Sequence, residues 1–517
     1  MTSSDNNPEP SESTDSSTPR RGLWEYYKQH RIRIRVVAAL IMHSLGFFYS
    51  VQAIMTTRTS QGAIAWFVSL NTYPYLAVPA YWVLGQSSFQ DYEVLRRKER
   101  VEKNETEENA IKVLREAGML AQPQTDRQKQ QAELLQRLAM MPVTRHNSAK
   151  LLVNGDETFD SIFEAIDAAN DYLLVQFFIF HDDELGKRLQ QALIAKAEQG
   201  LKVYLLYDEI GSYSTPASYW EAMSKAGVRV LPFNTTQGAG NRFRLNFRNH
   251  RKVVIADGKT AFVGGHNVGD EYLGKKPGFS PWRDTHVQLK GPVVQMVQVA
   301  FVEDWLWASG GNPQEDAQQV WHSFLNWTPE ASPDGDLHAL CLPTGPADDL
   351  ETCTLFFLNA INQAQDRLWI VSPYFVPDEQ LLSALQLAAL RGVDVRILIP
   401  QNPDHLMVYW SSFSYLEECE KAGVKVYRFS EGFLHQKVML VDQDVSVVGT
   451  ANFDNRSMRL NFEMSMLMVD RQFASEVEAM LLDDFSHSQL TTAADYTDAS
   501  FGFRALVRLS RLMAPVQ

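Results

Sequence analysis

Apolar residues fall along this chain in three patterns, and each predicts a different kind of element. From Val36 to Thr57 there is no charged residue. A helix of that length, rising 1.5 Å per residue, crosses a hydrocarbon core. A second uncharged stretch runs from Gln61 to Gln90 and is most apolar between Ala63 and Leu84. Its Trp66, Tyr73, Tyr75, Tyr81 and Trp82 suit a membrane interface, while Pro74 and Pro79 predict kinks. Arg31, Arg33 and Arg35 precede the first span; Arg96, Arg97, Lys98 and Arg100 follow the second; only Arg58 lies between. The positive-inside rule then puts both ends, and everything after residue 90, in the cytoplasm. The expectation is a two-helix membrane anchor over 31–90, behind a Ser/Thr/Pro/acid-rich disordered tail over 1–30 that lacks the apolar core of a signal peptide.

The second pattern covers 91–148. It is polar, with helical spacing at Ile111, Val113 and Leu114 and again at Leu134, Leu135 and Leu138, and reads as a helical linker. The third begins near residue 150, where short continuous apolar runs alternate with amphipathic segments. Asn154 to Phe180 reads as a turn, a helix and a buried strand (Tyr172 to Phe180); Glu184 to Gln199 is a helix closed by Gly200; Leu201 to Tyr207 is a strand. The order returns later: a helix from Asp349 to Ala364, a strand from Leu368 to Val371, a helix from Asp378 to Leu390 stopped by Gly392, and a strand from Val393 to Ile399. Ala226-Gly227-Val228 and Ala422-Gly423-Val424 each open a further strand. Such alternation implies an α/β fold with a largely buried sheet. The repeat implies two related halves, 149–325 and 326–495, packed as a pseudo-two-fold pair, followed by a C-terminal helix over 496–517.

Charge and cysteine content narrow the function. The 517 residues carry a formal net charge of −14, which opposes a general nucleic-acid binder. Cys341, Cys353 and Cys419 have no metal-ligand spacing and form no even disulfide set, so free thiols in a reducing compartment are expected.

The repeat also carries chemistry. His250, Lys252 and Asp257 read H-x-K-x-x-x-x-D, and so do His435, Lys437 and Asp442; Gly264 and Asn267 follow the first copy, Gly449 and Asn452 the second. The offset is constant, since 435 − 250, 442 − 257 and 452 − 267 all give 185. On a strand, the His and Lys of each copy point to one face. Together the halves offer two imidazoles, two ammonium groups and two amides, a trap for an anionic, oxygen-rich group such as phosphate. One imidazole can attack phosphorus while the other gives a proton to the leaving oxygen. Each imidazole needs a partner for its other nitrogen, and the candidates are Asp284 in Trp282-Arg283-Asp284 and Glu463 in Asn461-Phe462-Glu463. Asp257 and Asp442 complete the motif and are counted with the catalytic set. Because they follow the apolar stretch, they are expected to act mainly as turn or interface groups.

These residues resemble the phospholipase D superfamily, whose signature is the duplicated H-x-K-x4-D-x6-G-x-x-N, complete in both copies here. The resemblance covers about 150–490. It is closest to bacterial cardiolipin synthases of the membrane-anchored type, through the N-terminal spans, Trp282-Arg283-Asp284 and Pro373-Tyr374-Phe375-Val376-Pro377. The Ser/Thr/acid-rich N-terminal extension departs from that family. The resemblance implies two phospholipase D-like domains, each a mixed sheet flanked by helices. It also implies phosphatidyl transfer between two phosphatidylglycerol molecules, giving cardiolipin and glycerol, with no metal and no cofactor. His250 would form a phosphatidyl-histidine, His435 would serve as acid and then base, and Asp284 and Glu463 would orient the rings. The implied partners are phosphatidylglycerol, cardiolipin and an anionic bacterial inner membrane, with no nucleic acid; an oligomer is compatible with the sequence. The rivals are a hydrolase that hands the phosphatidyl group to water and, opposed by charge and anchor, a nuclease.

Further candidates surround the motifs. Arg242, Arg244 and Arg248 lead into the first copy and could meet an anionic headgroup. Asp208 and Tyr374 follow strands at the motif edge and could line the pocket. His181-Asp182-Asp183-Glu184 reads as a strand-end loop and helix N-cap rather than a metal site. Phe501 to Met513 interleaves Arg504, Arg508 and Arg511 with apolar residues, as an interfacial helix on an anionic membrane does; the alternative is a helix docked on the catalytic domain.

Overall fold

The computed structural model describes residues 19–57, 59–85, 111–233, 246–310 and 325–517. The tail before residue 19, Arg58, the basic cluster Arg96 to Arg100, and Arg242 and Arg244 lie outside the described residues. The chain divides into two compact units, Met1–Ser87 and Ser88–Gln517.

In the N-terminal unit one helix, Pro19–Thr56, contains the first expected span, and its Tyr27–Thr56 portion is long and apolar enough to cross a membrane. The second stretch is not one helix. It breaks into Ser60–Thr72 and Pro74–Leu84, because Pro74 cannot donate a backbone bond and drives Tyr73 out of helical geometry. Pro79, by contrast, sits inside the second piece without ending it. Gly46 lets the long helix approach closely, since a Cβ there would meet the Leu70 carbonyl. Ala53, Leu70, Val78 and Tyr81 form the buried seam.

In the larger unit, sixteen strands among the described residues join one sheet. In the first half, Tyr172–Phe177, Lys202–Asp208 and Arg229–Phe233 run parallel, with Val253–Ala256, Thr260–Gly264 and Thr285–Lys290 added antiparallel on the other side. The second half repeats this with Arg367–Val371, Asp394–Pro400 and Lys425–Phe429, then Val438–Val441, Val445–Gly449 and Asn461–Val469. The parallel strands are buried on both faces, as their near-continuous apolar runs require. The halves also share one sheet: Thr144–Val153 and Leu337–Thr344 pair antiparallel and carry it from one half into the other. Asp126–Ala139 is helical, opened by a Thr125/Gln128 capping box, and its Leu135 is buried in the shared core.

Each motif glycine has a steric cause. A Cβ at Gly264 would press on the backbone of Thr285 and His286, and one at Gly449 on that of Met464 and Ser465. Only glycine lets these strands lie so close to the segments carrying Asp284 and Glu463.

Candidate active site

His250 and Lys252 do not sit within a continuous strand. They occupy an extended break between Arg248–Asn249 and Val253–Ala256, and His435 and Lys437 occupy the matching break between Phe433–Leu434 and Val438–Val441. The short strand before each break leaves its own half and pairs parallel with the other half: Arg248–Asn249 with Asn461 and Phe462, Phe433–Leu434 with Trp282 and Arg283. The backbone crosses between halves at the point where the chemistry lies, and this crossing decides the pairing of side chains.

Each histidine takes its carboxylate from the opposite half. His250 Nδ1 lies 3.0 Å from both Glu463 oxygens, and His435 Nδ1 lies 2.7 Å from Asp284 Oδ2. With Nδ1–H donated to the carboxylate, Nε2 of each ring carries the free lone pair. Both rings and both carboxylates are buried. Lys252 Nζ donates to the His250 carbonyl and Lys437 Nζ to the His435 carbonyl, each at 2.6 Å. The charge of each lysine acts on the other half's histidine, so the four groups share one pocket.

Burial sets the protonation states. It lowers the pKa of His250 to about 4, against the pull of Glu463, and pushes that of His435 well below its ordinary value, helped by Lys437 and Lys252. Burial raises Glu463, but His250, Lys252 and Thr450 outweigh it and leave the carboxyl below its usual range. The negative charge of that pair therefore rests on Glu463 and the ring is neutral. Lys437 is lowered to about 8 by burial, and burial also holds Lys252 well below its ordinary value.

The remaining candidates separate. Asp257 and Asp442 stand at the far end of the motif strands. Asp257 accepts from the amides of Asn170, Asp171 and Tyr172, and Asp442 from those of Gln365, Asp366 and Arg367. These carboxylates hold the start of the neighbouring parallel strand. Asn267 Oδ1 accepts from the Ile179 amide and its Nδ2 donates to the Tyr272 hydroxyl; Asn452 Oδ1 is buried without a partner. Arg248 is bonded to the Phe247 carbonyl and lies beside Asp208, which fixes the Asn249 amide next to His250. Tyr374 donates to Asp404, whose charge acts on Lys437. Asp183 caps the helix Glu184–Glu198 by accepting from the Gly186 amide. The three cysteines are free and buried.

Sequence reasoning missed the supports. Glu463 also accepts from Thr450 Oγ1, Ser457 Oγ and Asn461 Nδ2. Phe178 lies edge-on to His250 and Trp282 packs on His435, walling each ring. Arg251, in the middle of the first motif, bonds Asp304 at 2.8 Å and the Glu463 carbonyl at 3.0 Å. One signal was available: the two tails read Gly264-Gly265-His266-Asn267 and Gly449-Thr450-Ala451-Asn452, and their difference marks where the half-sites diverge.

Comparison with known proteins places the chain in a family. The family model described as "Cardiolipin synthase, PLD-like domain" matches residues 162–305 and 357–484. "Cardiolipin synthase A" of Pseudomonas putida strain GB-1 is 48% identical over 479 residues, 92% of this chain and 97% of that protein. The protein of the same name from Pseudomonas fluorescens strain Pf-5 is also 48% identical, over 92% of this chain and 97% of its own length. The crystal structure of a phosphatidylserine synthase from Haemophilus influenzae Rd KW20 shares the fold at a TM-score of 0.57 and 17% identity, covering 75% of this chain and 99% of that one. With two matched domains, near-complete coverage and a duplicated site, the chain belongs to the cardiolipin synthase family of phospholipase D-like proteins.

Proposed function

We propose that this protein transfers the phosphatidyl group of one phosphatidylglycerol to the glycerol hydroxyl of another, forming cardiolipin and releasing glycerol. The observation that carries the reading is the pair of crossed histidine–carboxylate contacts around two buried lysines. His250 Nε2 attacks phosphorus, the bond to the glycerol oxygen breaks, and His435 supplies the proton that oxygen needs. His435 then takes the proton of the incoming hydroxyl, whose oxygen displaces His250 from phosphorus. Lys252 and Lys437 hold the equatorial oxygens with Asn267 and Asn452, and no step calls for a metal. Burial keeps both imidazoles neutral, as a nucleophile requires. An entering phosphodiester anion raises the affinity of His435 and the lysines for protons and so charges the acid as substrate binds.

The helix Pro19–Thr56, together with the broken arm over 60–84, supports a two-pass anchor in the bacterial inner membrane, with the catalytic unit on the cytoplasmic side and two phospholipase D-like halves, 149–325 and 326–495, within that unit. A tag placed after residue 90 should resist protease added outside intact cells; its cleavage would overturn that orientation. The activity is tested with purified protein and phosphatidylglycerol in mixed micelles, products resolved by mass spectrometry. Cardiolipin plus glycerol, absent from His250→Ala and His435→Ala, is expected. Phosphatidic acid as the sole product would mean a hydrolase instead.

A further inference from the structure

The helix Phe501–Arg511 resolves the two sequence readings by having two faces. Val507 and Ser510 are buried, and Phe503 meets the ring of Phe413 on the helix Leu406–Phe413, so one face docks on the catalytic unit. Phe501, Ala505, Arg508 and Leu512 follow an i, i+4, i+7, i+11 spacing and share the opposite face. There Phe501, Leu509 and Leu512 are 79, 62 and 74% exposed. Arg511 turns back to Glu418; Arg508 bonds the Tyr496 hydroxyl at 2.8 Å and Arg504 reaches the Thr497 carbonyl, yet both stay largely exposed beside the apolar row. On a chain of net charge −14, this row of exposed apolar side chains edged by arginines stands apart from its surroundings.

The helix that Phe503 packs on begins beside the active site. Leu406 and Met407, at the start of the helix that Phe503 packs on, are also exposed. They directly follow Asp404 and His405, which contact Tyr374 and, through the Asp404 charge, bear on Lys437.

We propose that Phe501, Leu509 and Leu512, with Leu406 and Met407, form a membrane-docking surface that seats the mouth of the active site on an anionic bilayer. The apolar side chains enter the headgroup region and Arg504 and Arg508 meet the lipid phosphates. A second chain or a soluble protein partner would cover apolar area equally well, but the exposed arginines at its edge fit an anionic surface best. The proposal rests on the phospholipid-transfer reading for its purpose, though not for its test.

The experiment uses the full chain reconstituted in vesicles. Leu512→Cys is labelled with an environment-sensitive fluorophore, the native cysteines being buried, and Glu198→Cys, exposed on another helix, serves as the reference. In phosphatidylglycerol-rich vesicles the label on the Leu512→Cys variant should blue-shift, brighten severalfold and be quenched by spin-labelled lipid, while the reference stays water-like. Arg504→Glu with Arg508→Glu should abolish the response. Leu509→Gln with Leu512→Gln should lower turnover on vesicle substrate about tenfold while leaving turnover of short-chain phosphatidylglycerol in micelles unchanged. A water-like label in every vesicle overturns the proposal. So does a brightening that appears without lipid and rises with protein concentration, since a second copy then covers the face. If the label is quenched yet no form of phosphatidylglycerol yields cardiolipin, the docking surface stands and the proposed reaction fails.

Discussion

The two half-sites are built on one plan and finished differently. In the second half Thr450 follows the motif glycine, and its hydroxyl joins that of Ser457 and the amide of Asn461 on Glu463. In the first half the same position is Gly265, where a Cβ would run into Asp284. Asp284 instead takes the Thr285 amide at 2.8 Å, with the Trp282 indole at 3.4 Å. The longer Glu reaches His250 from a strand that leaves room for a cage of neutral donors; the shorter Asp reaches His435 only because the neighbouring strand has been stripped of its side chain. Duplication supplied the His–Lys pairs, and divergence went into the groups that hold each carboxylate. That is where a difference in role between the histidines has to originate, because the rings themselves sit in equivalent breaks.

The largest effect should come from breaking one histidine at a time. His250→Ala and His435→Ala should each lose at least about a thousandfold in kcat. If the roles are as proposed, His435→Asn given phosphatidylglycerol accumulates a covalent adduct on His250 that intact-mass spectrometry detects, and His250→Asn accumulates none on His435. The reverse pattern would exchange the roles without disturbing the fold.

The second comparison is between Gly265 and Thr450. Gly265→Ala forces Asp284 off His435 and should cost about a hundredfold or more, the scale of a displaced orienting group. Thr450→Ala removes one of several donors to Glu463 and should cost about tenfold, the strength of one bond to a charged group. Equal losses would mean that the two carboxylates are held equally, and the asymmetry would have no functional content.

Much of this site is legible in the sequence. Two H-x-K copies at one offset imply the shared pocket, and Asp284 and Glu463 stand downstream of the two motifs as candidate partners for the rings. The crossing is not legible. That His250 takes Glu463 and His435 takes Asp284 depends on Arg248–Asn249 and Phe433–Leu434 pairing outside their own halves, and strands of two residues leave no periodicity to read. The bridge between the halves is hidden similarly, because Thr144 lies in what composition marks as linker. In the anchor, the uncharged run from Gln61 to Gln90 reads as one span kinked at Pro74 and Pro79, and the structure shows that only Pro74 ends a helix. The acids of the motifs are the clearest gain: their distance from the lysine already suggests a turn, and their amide partners show which one.

Charge states offer a gentler test of the same pocket. Lys252 and Lys437, both lowered by burial and Lys437 to about 8, must be charged to hold phosphate, so kcat/KM, which reports the free enzyme, should already be falling as pH rises to about 8. The limb in kcat should lie higher, since bound phosphate favours the charged lysine. On the acid side His250 has the opposite consequence for stability. Its folded pKa of about 4 is below the ordinary 6.5, so the unfolded chain binds more protons between those values and stability drops as pH falls through that window. His250→Asn should flatten that part of the stability profile, whereas a profile unchanged by the substitution would mean the ring is not neutral in the folded protein.

The smallest effects on chemistry should come from the two motif aspartates, and they bear on the comparison most directly. Asp257 is buried, has a positive φ of 53° and receives three amides; Asp442, at 52°, does the same from a more exposed position. Asparagine tolerates that backbone and keeps the shape, but it offers one acceptor oxygen where the carboxylate offers two. Asp257→Asn should therefore lower stability by about 2 kcal/mol and Asp442→Asn by about 1 kcal/mol, with more of the second loss recovered from water. Both should leave kcat within about twofold at a temperature where each variant is folded. The readout is a denaturation midpoint beside kcat for each variant. A kcat that collapsed while the midpoint held would return these residues to the chemistry, and would mean that the far end of the motif strand communicates with the histidine at its start.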